Sequence, residues 1–226
     1  MKILAIEAST EALSAALFDS AQPDGTAEVF EIAPRAHAQR LLPAAQQLLD
    51  QAGLGLADLD GLAFARGPGA FTGLRIAAGL VQGLAAGAGL PVVGISTLAV
   101  VAARALDQIP EAGRVQVVQD ARMGEIYTAT FARADLPVSD DVERVMAPAD
   151  LEVATGSDTI RAGNGWALVV ESQALAEQTV YVEAPHAADV ARLAWPMLRD
   201  GQGRPAAEAL PVYVRDDVAR KPGGSR

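Results

Sequence analysis

Alternation between apolar and polar residues along the chain predicts short buried strands interleaved with amphipathic helices. Apolar runs bounded by glycine, proline or acidic residues predict strands at 2–6, 13–18, 29–32, 62–65, 91–95, 115–119, 126–131, 167–170 and 210–214. Apolar positions at helical spacing predict helices at 37–52, 72–88, 97–106 and 187–198. Strands that alternate with helices in this way indicate an α/β fold.

Proline and glycine residues set limits to these helices. Pro43 is tolerated only in a first helical turn, so the regular part of the first helix should begin near Leu42 and end at Gly53. Pro196 should kink or end the helix 187–198. Residues 221–226 have the composition of a loose tail.

The segment 66–75 joins a predicted strand to the most apolar helix. Its glycines, Gly67, Gly69 and Gly73, together with Pro68, predict a sharp turn. The free amides of a helix start could hold an anion there. The spacing matches neither GxGxxG nor GxxxxGK[ST], so a tight connection without a ligand is the competing interpretation.

The helix 72–88 is apolar around most of its circumference, which indicates that it is covered on more than one side. Gly79, Gly83 and Gly87 recur every four residues and form a flat ridge for close packing. A second domain or another subunit could supply the cover, and we favour a subunit.

The apolar stretch 76–103 is long enough to span a bilayer, but its glycines and Pro91 divide it, so we interpret it as soluble core.

Two segments share one pattern of apolar strand, acidic residue, turn and returning strand. The acid is Glu7 in the first and Asp120 in the second, 113 positions later in a chain of 226 residues. This spacing predicts two related lobes, an N-terminal lobe at 1–109 and a C-terminal lobe at 110–226, with the last helix or strand able to pack back on the first lobe. If the hairpins face each other, Glu7 and Asp120 could share a magnesium ion.

Charge and composition exclude several functions. The net charge is −10, and the only lysines are Lys2 and Lys221, so an independent RNA-binding module is disfavoured. The chain has no cysteine and begins without a signal-peptide pattern, which is consistent with a cytoplasmic protein. His37 and His186 lack the spacing of a helical metal clamp, and no GxSxG motif is present.

The blocks KILAIEAST, HAQRLLP, RGPGAFTGLRIAAGLVQGLA, GISTL, DARMGEIY and PVYVRDDVARK occur in this order over nearly the whole chain. Together they resemble the TsaB (YeaZ) family. The resemblance implies an actin-like (ASKHA) α/β fold of two ribonuclease-H-like lobes, with mixed sheets flanked by helices. It also implies a non-catalytic subunit that docks the catalytic TsaD subunit, with the ATPase TsaE, to form N6-threonylcarbamoyladenosine at position 37 of ANN-decoding tRNAs.

The resemblance also sets expectations for cofactors and location. The chain should have no cofactor of its own, with ATP and metal on the partner subunits, tRNA contact only through the complex, no membrane and a cytoplasmic location. Vestigial cofactor-binding positions are Glu7, Ser9, Thr10 and Asp120, where Glu7-Ala8 replaces the Asp-Thr pair usual in relatives. The alternatives are an autonomous actin-like ATPase or kinase and a glycoprotease-like metallopeptidase, and the missing histidine pair counts against the second.

Family dimer contacts are expected on the two helices 37–52 and 72–88. These helices would bind TsaD, and a homodimer could use the same surface. The residues predicted at this interface are Leu41, Ala45, Leu48, Arg75, Ala78, Gly79, Gln82, Gly83 and Ala86.

Overall fold

The computed structural model describes residues 1–137, 143–173, 180–181 and 184–215. Within these ranges the chain forms two five-stranded sheets and five α-helices. The strands are β1 (Lys2–Glu7), β2 (Ala12–Asp19), β3 (Ala27–Ile32), β4 (Gly61–Gly67), β5 (Val92–Ser96), β6 (Arg114–Arg122), β7 (Glu125–Ala132), β8 (Arg144–Met146), β9 (Thr159–Ala162) and β10 (Val180–Tyr181). The helices are α1 (His37–Ala52), α2 (Phe71–Ala88), α3 (Thr97–Gln108), α4 (Trp166–Gln173) and α5 (Ala187–Arg199).

The two sheets have the same topology. The first sheet has the strand order β3-β2-β1-β4-β5. The second sheet, read from β8, has the corresponding order β8-β7-β6-β9-β10. In each sheet an antiparallel hairpin is extended by strands that run parallel to its first strand. The hairpin repeat predicted from the sequence is therefore confirmed, as is the mixed α/β architecture of two related lobes.

The helices separate the sheets into layers. Helices α3 and α5 pack between the two sheets and share one apolar core with both of them. Helices α1 and α2 cover the other face of the first sheet, and α4 packs on the second sheet around Trp166. Because α1 and α2 form an outer layer, each of them buries one face and leaves the other face open.

The two prolines do not limit their helices in the way that the sequence predicted. Helix α1 begins at His37 and not near Leu42, and it contains Pro43 in its interior. Pro43 lies on the exposed face, where water can reach the carbonyl that has lost its helical partner. Gly53 ends the helix in the left-handed conformation, as expected, with φ 65°. Of the two effects predicted for Pro196, a kink or an end of the helix, the end is wrong, because α5 continues to Arg199.

Two predicted strands are wrong. Residues 167–170 belong to helix α4, whose Trp166 side chain is buried and donates a hydrogen bond from Nε1 to the Ala162 carbonyl at 3.0 Å. Residues 210–214 form an irregular segment that lies along the first lobe. The Val212 amide donates a hydrogen bond to the Arg66 carbonyl at the end of β4. The predicted tail 221–226 lies outside the described residues.

Candidate functional site

A cleft between the lobes lies at the carboxyl ends of the strands. The β1–β2 turn, the loop 68–71, the β6–β7 hairpin and Asn164 line a cavity of about 490 Å³. In α/β sheets this edge is the usual place for a ligand, because loops from several strands meet there. The topology thus brings together segments that are far apart in sequence.

The glycine-rich loop packs closely against the first hairpin. A Cβ atom on Gly69 would lie 2.5 Å from the Ser9 carbonyl oxygen, and one on Gly73 would lie 1.9 Å from the Ala8 carbonyl oxygen. The Ala70 amide donates to the same Ser9 oxygen at 2.7 Å. These contacts give the glycines a packing role, which favours the tight-connection interpretation of the loop over the anion cradle.

Three of the four predicted cofactor-binding residues line the cleft. Ser9, Thr10 and Asp120 face the cavity, whereas Glu7 is fully buried and is not among its lining residues. The Glu7 carboxylate oxygen Oε1 accepts a hydrogen bond from the Ser9 amide at 2.7 Å. Burial raises the pKa of Glu7 to about 7, against the lowering effect of the Ser9 hydroxyl and amide.

Arg122, which was not among the predicted site residues, lies between the two hairpin turns. Its guanidinium contacts Glu11 at 2.9 Å and Asp120 at 3.2 Å, so it joins the lobes across the cleft. The second Asp120 oxygen accepts the Arg122 amide at 2.7 Å. Both carboxylate oxygens of Asp120 are therefore engaged by the protein. A basic residue between two acids in the DARMGE turn was the available sequence signal.

Both histidines make contacts with residues of the first lobe. His37 donates from Nε2 to the Ala12 carbonyl at 3.1 Å. His186 contacts Glu28 at 2.9 Å through Nδ1 and stacks on Phe30 with the ring centroids 4.2 Å apart. Among the described residues, no three His, Cys, Asp or Glu side chains are grouped to hold a metal ion.

The outward face of α2 is the second candidate surface. Arg75, Gly79, Gly83 and Ala86 are exposed, and a Cβ atom on Gly79 or Gly83 would have no heavy atom within 4 Å outside the adjacent turns of the helix. Only 33% of the residues of α2 are buried. The described part of the chain therefore does not cover the rest of the helix circumference, which the sequence predicted to be covered. By length and composition α2 could also span a membrane, although its inner face packs on the first sheet.

Part of the predicted interface must be corrected. Leu41, Ala45, Leu48 and Ala78 are buried in the chain's own core against the first sheet, which removes them from the accessible face. Gln82 is half-buried and donates from Nε2 to the Ala209 carbonyl at 3.1 Å, so its side chain holds the C-terminal segment. The accessible residues of the predicted set therefore lie on α2 alone.

An aromatic cluster adjoins this face at the start of α2. The Arg75 guanidinium lies 3.2 Å from the centroid of the Phe71 ring, and the Tyr213 ring centroid is 5.3 Å from that of Phe71. Such cation–π and aromatic contacts hold Arg75 against the protein surface. Phe71 and Tyr213 also line the cleft, so the cluster lies between the two candidate surfaces.

Comparisons with known proteins agree with this architecture. The family model described as "TsaD: tRNA N6-adenosine threonylcarbamoyltransferase" matches residues 29–221. The tRNA threonylcarbamoyladenosine biosynthesis protein TsaB of Escherichia coli K12 is 38% identical over 230 residues, which cover 98% of this chain and 97% of the relative. The TsaB protein of Haemophilus influenzae is 34% identical, with 98% and 96% covered.

Solved structures give the same result. YeaZ from Pseudomonas aeruginosa superposes with a TM-score of 0.79 at 39% identity, and the match covers 94% of this chain and all of that one. A protein described as similar to peptidase YEAZ, from the same organism, gives a TM-score of 0.83 at 39% identity over 95% of this chain and 99% of that one. The chain belongs to the TsaB (YeaZ) family, the subunits of tRNA threonylcarbamoyladenosine biosynthesis with an actin-like fold of two related lobes.

Proposed function

We propose that this chain is a non-catalytic subunit that docks the catalytic TsaD subunit through the outward face of α2. The observation that carries the proposal is the ridge of Gly79, Gly83 and Gly87, whose missing Cβ atoms leave open space on the protein surface. A helix surface without side chains permits the backbone of another helix to approach closely. The rest of α2 is apolar enough to form the centre of an interface.

The cleft supports an accessory role better than catalysis. Arg122 engages both Glu11 and Asp120, and Glu7 lies buried beneath the cleft, so the acids that would hold a metal-bound phosphate are occupied or covered. ATP and metal therefore belong to the partner subunits in this proposal, and TsaE joins the same assembly.

The acidic net charge of −10 disfavours direct tRNA binding, so tRNA would be contacted through the complex. The proposed location is cytoplasmic, with no membrane association.

The proposal is tested by placing a charge on the ridge. Gly83→Arg should fold, because the position is exposed and open, but it should weaken TsaD binding measured by calorimetry by about 2–5 kcal/mol, the cost of an unpaired buried charge. The matched control is Ala167→Arg, which places the same side chain on an exposed position of α4. Unchanged affinity in folded Gly83→Arg would rule out this interface.

A homodimer through the same face makes a second measurement informative. If one surface serves both contacts, adding TsaD should convert a homodimer into a heterodimer on size-exclusion chromatography. Gly83→Arg should then abolish both species. Coexistence of the homodimer and TsaD in one larger particle would show that the two contacts use different surfaces.

A further inference from the structure

Residues 210–215, which we call the strap, pass from the first lobe to the second beside the cleft. On the first lobe the Val212 amide donates to the Arg66 carbonyl at 2.8 Å, at the end of β4. On the second lobe the Arg215 guanidinium pairs with Glu125 and donates to the Ala121 carbonyl at 3.3 Å. The strap is thus attached to both lobes.

The strap also forms part of the cleft wall. Val212, Tyr213, Val214 and Arg215 all line the cavity. The strap lies close to the first lobe, since a Cβ atom on Gly67 would come within 2.6 Å of the Val212 carbonyl oxygen. The shape of the cavity therefore depends on whether the strap is seated.

The lobes are joined differently on the two sides of the cleft. On the closed side α3 and α5 belong to one apolar core with both sheets, whereas the buried Ser96–Glu143 hydrogen bond joins the lobes next to Thr97, which lines the cavity. At the mouth, polar contacts between described residues join the lobes, among them Arg122 with Glu11 and Arg215 with the β6–β7 hairpin. Because a continuous apolar core is harder to separate than ion pairs that water can reach, we place the hinge on the core side.

The two polar ties differ in exposure. The Arg122 and Glu11 side chains are 68% and 62% exposed, whereas those of Arg215 and Glu125 are 17% and 43% exposed. Water and salt screen the first pair strongly and the second pair less. The strap is therefore the stronger of these two ties.

We propose that the strap is a latch that sets the opening of the interlobe cleft. While Arg215 holds the β6–β7 hairpin, the mouth stays closed. When Arg215 is released from Glu125 and Ala121, the second lobe rotates about the shared core at α3 and α5, and the cavity opens.

The distance between the lobes can be measured directly, because the chain has no cysteine of its own. Spin labels on Ile32→Cys and Ala167→Cys, two exposed positions on opposite lobes, report this distance by double electron–electron resonance. The reference protein carries Arg122→Gln, which removes the other tie. Adding Arg215→Gln should increase the population at long distances several-fold, and Arg215→Lys should restore much of the short-distance population.

Two controls make the result decisive. Arg199→Gln removes an exposed ion pair with Asp200 at the end of α5 and should leave the distances unchanged. Glu125→Gln breaks the latch from its more exposed side, and it replaces Arg215→Gln if that variant does not fold. The proposal is overturned if the folded latch variants give the same distribution as Arg122→Gln alone, or if Arg122→Gln alone is already fully open.

Discussion

Replacing Glu7 by Gln should stabilise the protein at alkaline pH and change its stability little at pH 5. The carboxyl group is fully buried in β1, and burial raises its pKa from 4.5 to about 7. Between these values the unfolded chain releases the proton while the folded chain keeps it, so the free energy of unfolding falls as the pH rises. Above pH 7 the folded protein is ionised as well, and the penalty stays constant.

The size of the effect follows from the two pKa values. Their separation corresponds to roughly 3 kcal/mol, at about 1.36 kcal/mol for each pH unit. Gln has nearly the shape of the protonated acid and keeps an oxygen to accept the Ser9 amide, but it never ionises. The Gln variant should therefore be about 3 kcal/mol more stable than the parent at pH 8.5, where the full penalty applies.

Urea denaturation at several pH values between 5 and 9 measures this difference. Glu111→Gln is the matched control, because it makes the same chemical change at an exposed position, and its effect should be small at every pH. The reasoning about Glu7 is refuted if the stability difference between Glu7→Gln and the parent does not change with pH across this range.

Three further predictions concern the loop, the end of α3 and the cleft. Gly73→Ala places a Cβ atom against the Ala8 carbonyl and should lower the free energy of unfolding, measured by urea denaturation, by at least about 1–3 kcal/mol. Gly79→Ala adds its Cβ atom in open space and should raise that free energy by about 0.5–1 kcal/mol. Equal effects of the two substitutions would contradict the packing argument. Arg133→Gln removes the guanidinium hydrogen bonds to the carbonyls of Leu106, Ile109, Pro110 and Ala112. The free energy of unfolding should therefore fall by about 1.5–3 kcal/mol, and an unchanged midpoint of urea denaturation would contradict this prediction. Mg-ATP should cause neither heat in calorimetry nor a thermal shift, because Arg122 engages Asp120, and saturable binding would favour the autonomous ATPase instead.

The features predicted correctly from the sequence are those that depend on nearby residues. The two hairpins could be recognised because each has an apolar strand, an acid and a turn within one short segment. Gly53 could be placed as a helix end because the left-handed conformation favours glycine. The run 167–170 was assigned wrongly because a short apolar run fits a strand or a buried helix equally well. Its helical state is associated with burial of Trp166 and the hydrogen bond from its Nε1 to the Ala162 carbonyl, which periodicity does not report.

The cleft and the interface depend on contacts between distant residues. The ion pair of Arg122 and Glu11 joins positions 111 apart in the sequence, so no local pattern could reveal it. Helical spacing showed that α1 and α2 are rich in apolar residues but not which face the first sheet would cover. Leu41 and Ala78 were therefore predicted at the interface, although the sheet buries them.

The glycines of α2 and its preceding loop separate into two groups with different causes. At Gly69 and Gly73 a side chain would collide with the first hairpin, so the chain's own fold requires their small size. At Gly79, Gly83 and Gly87 no described atom outside the adjacent turns of the helix lies within 4 Å of an added Cβ atom. Each of these glycines costs about 0.5–1 kcal/mol of helix stability relative to alanine, and packing within the described chain does not offset that cost. Close approach of a second molecule would offset it, which favours the outward face of α2 over the cleft as the principal functional surface.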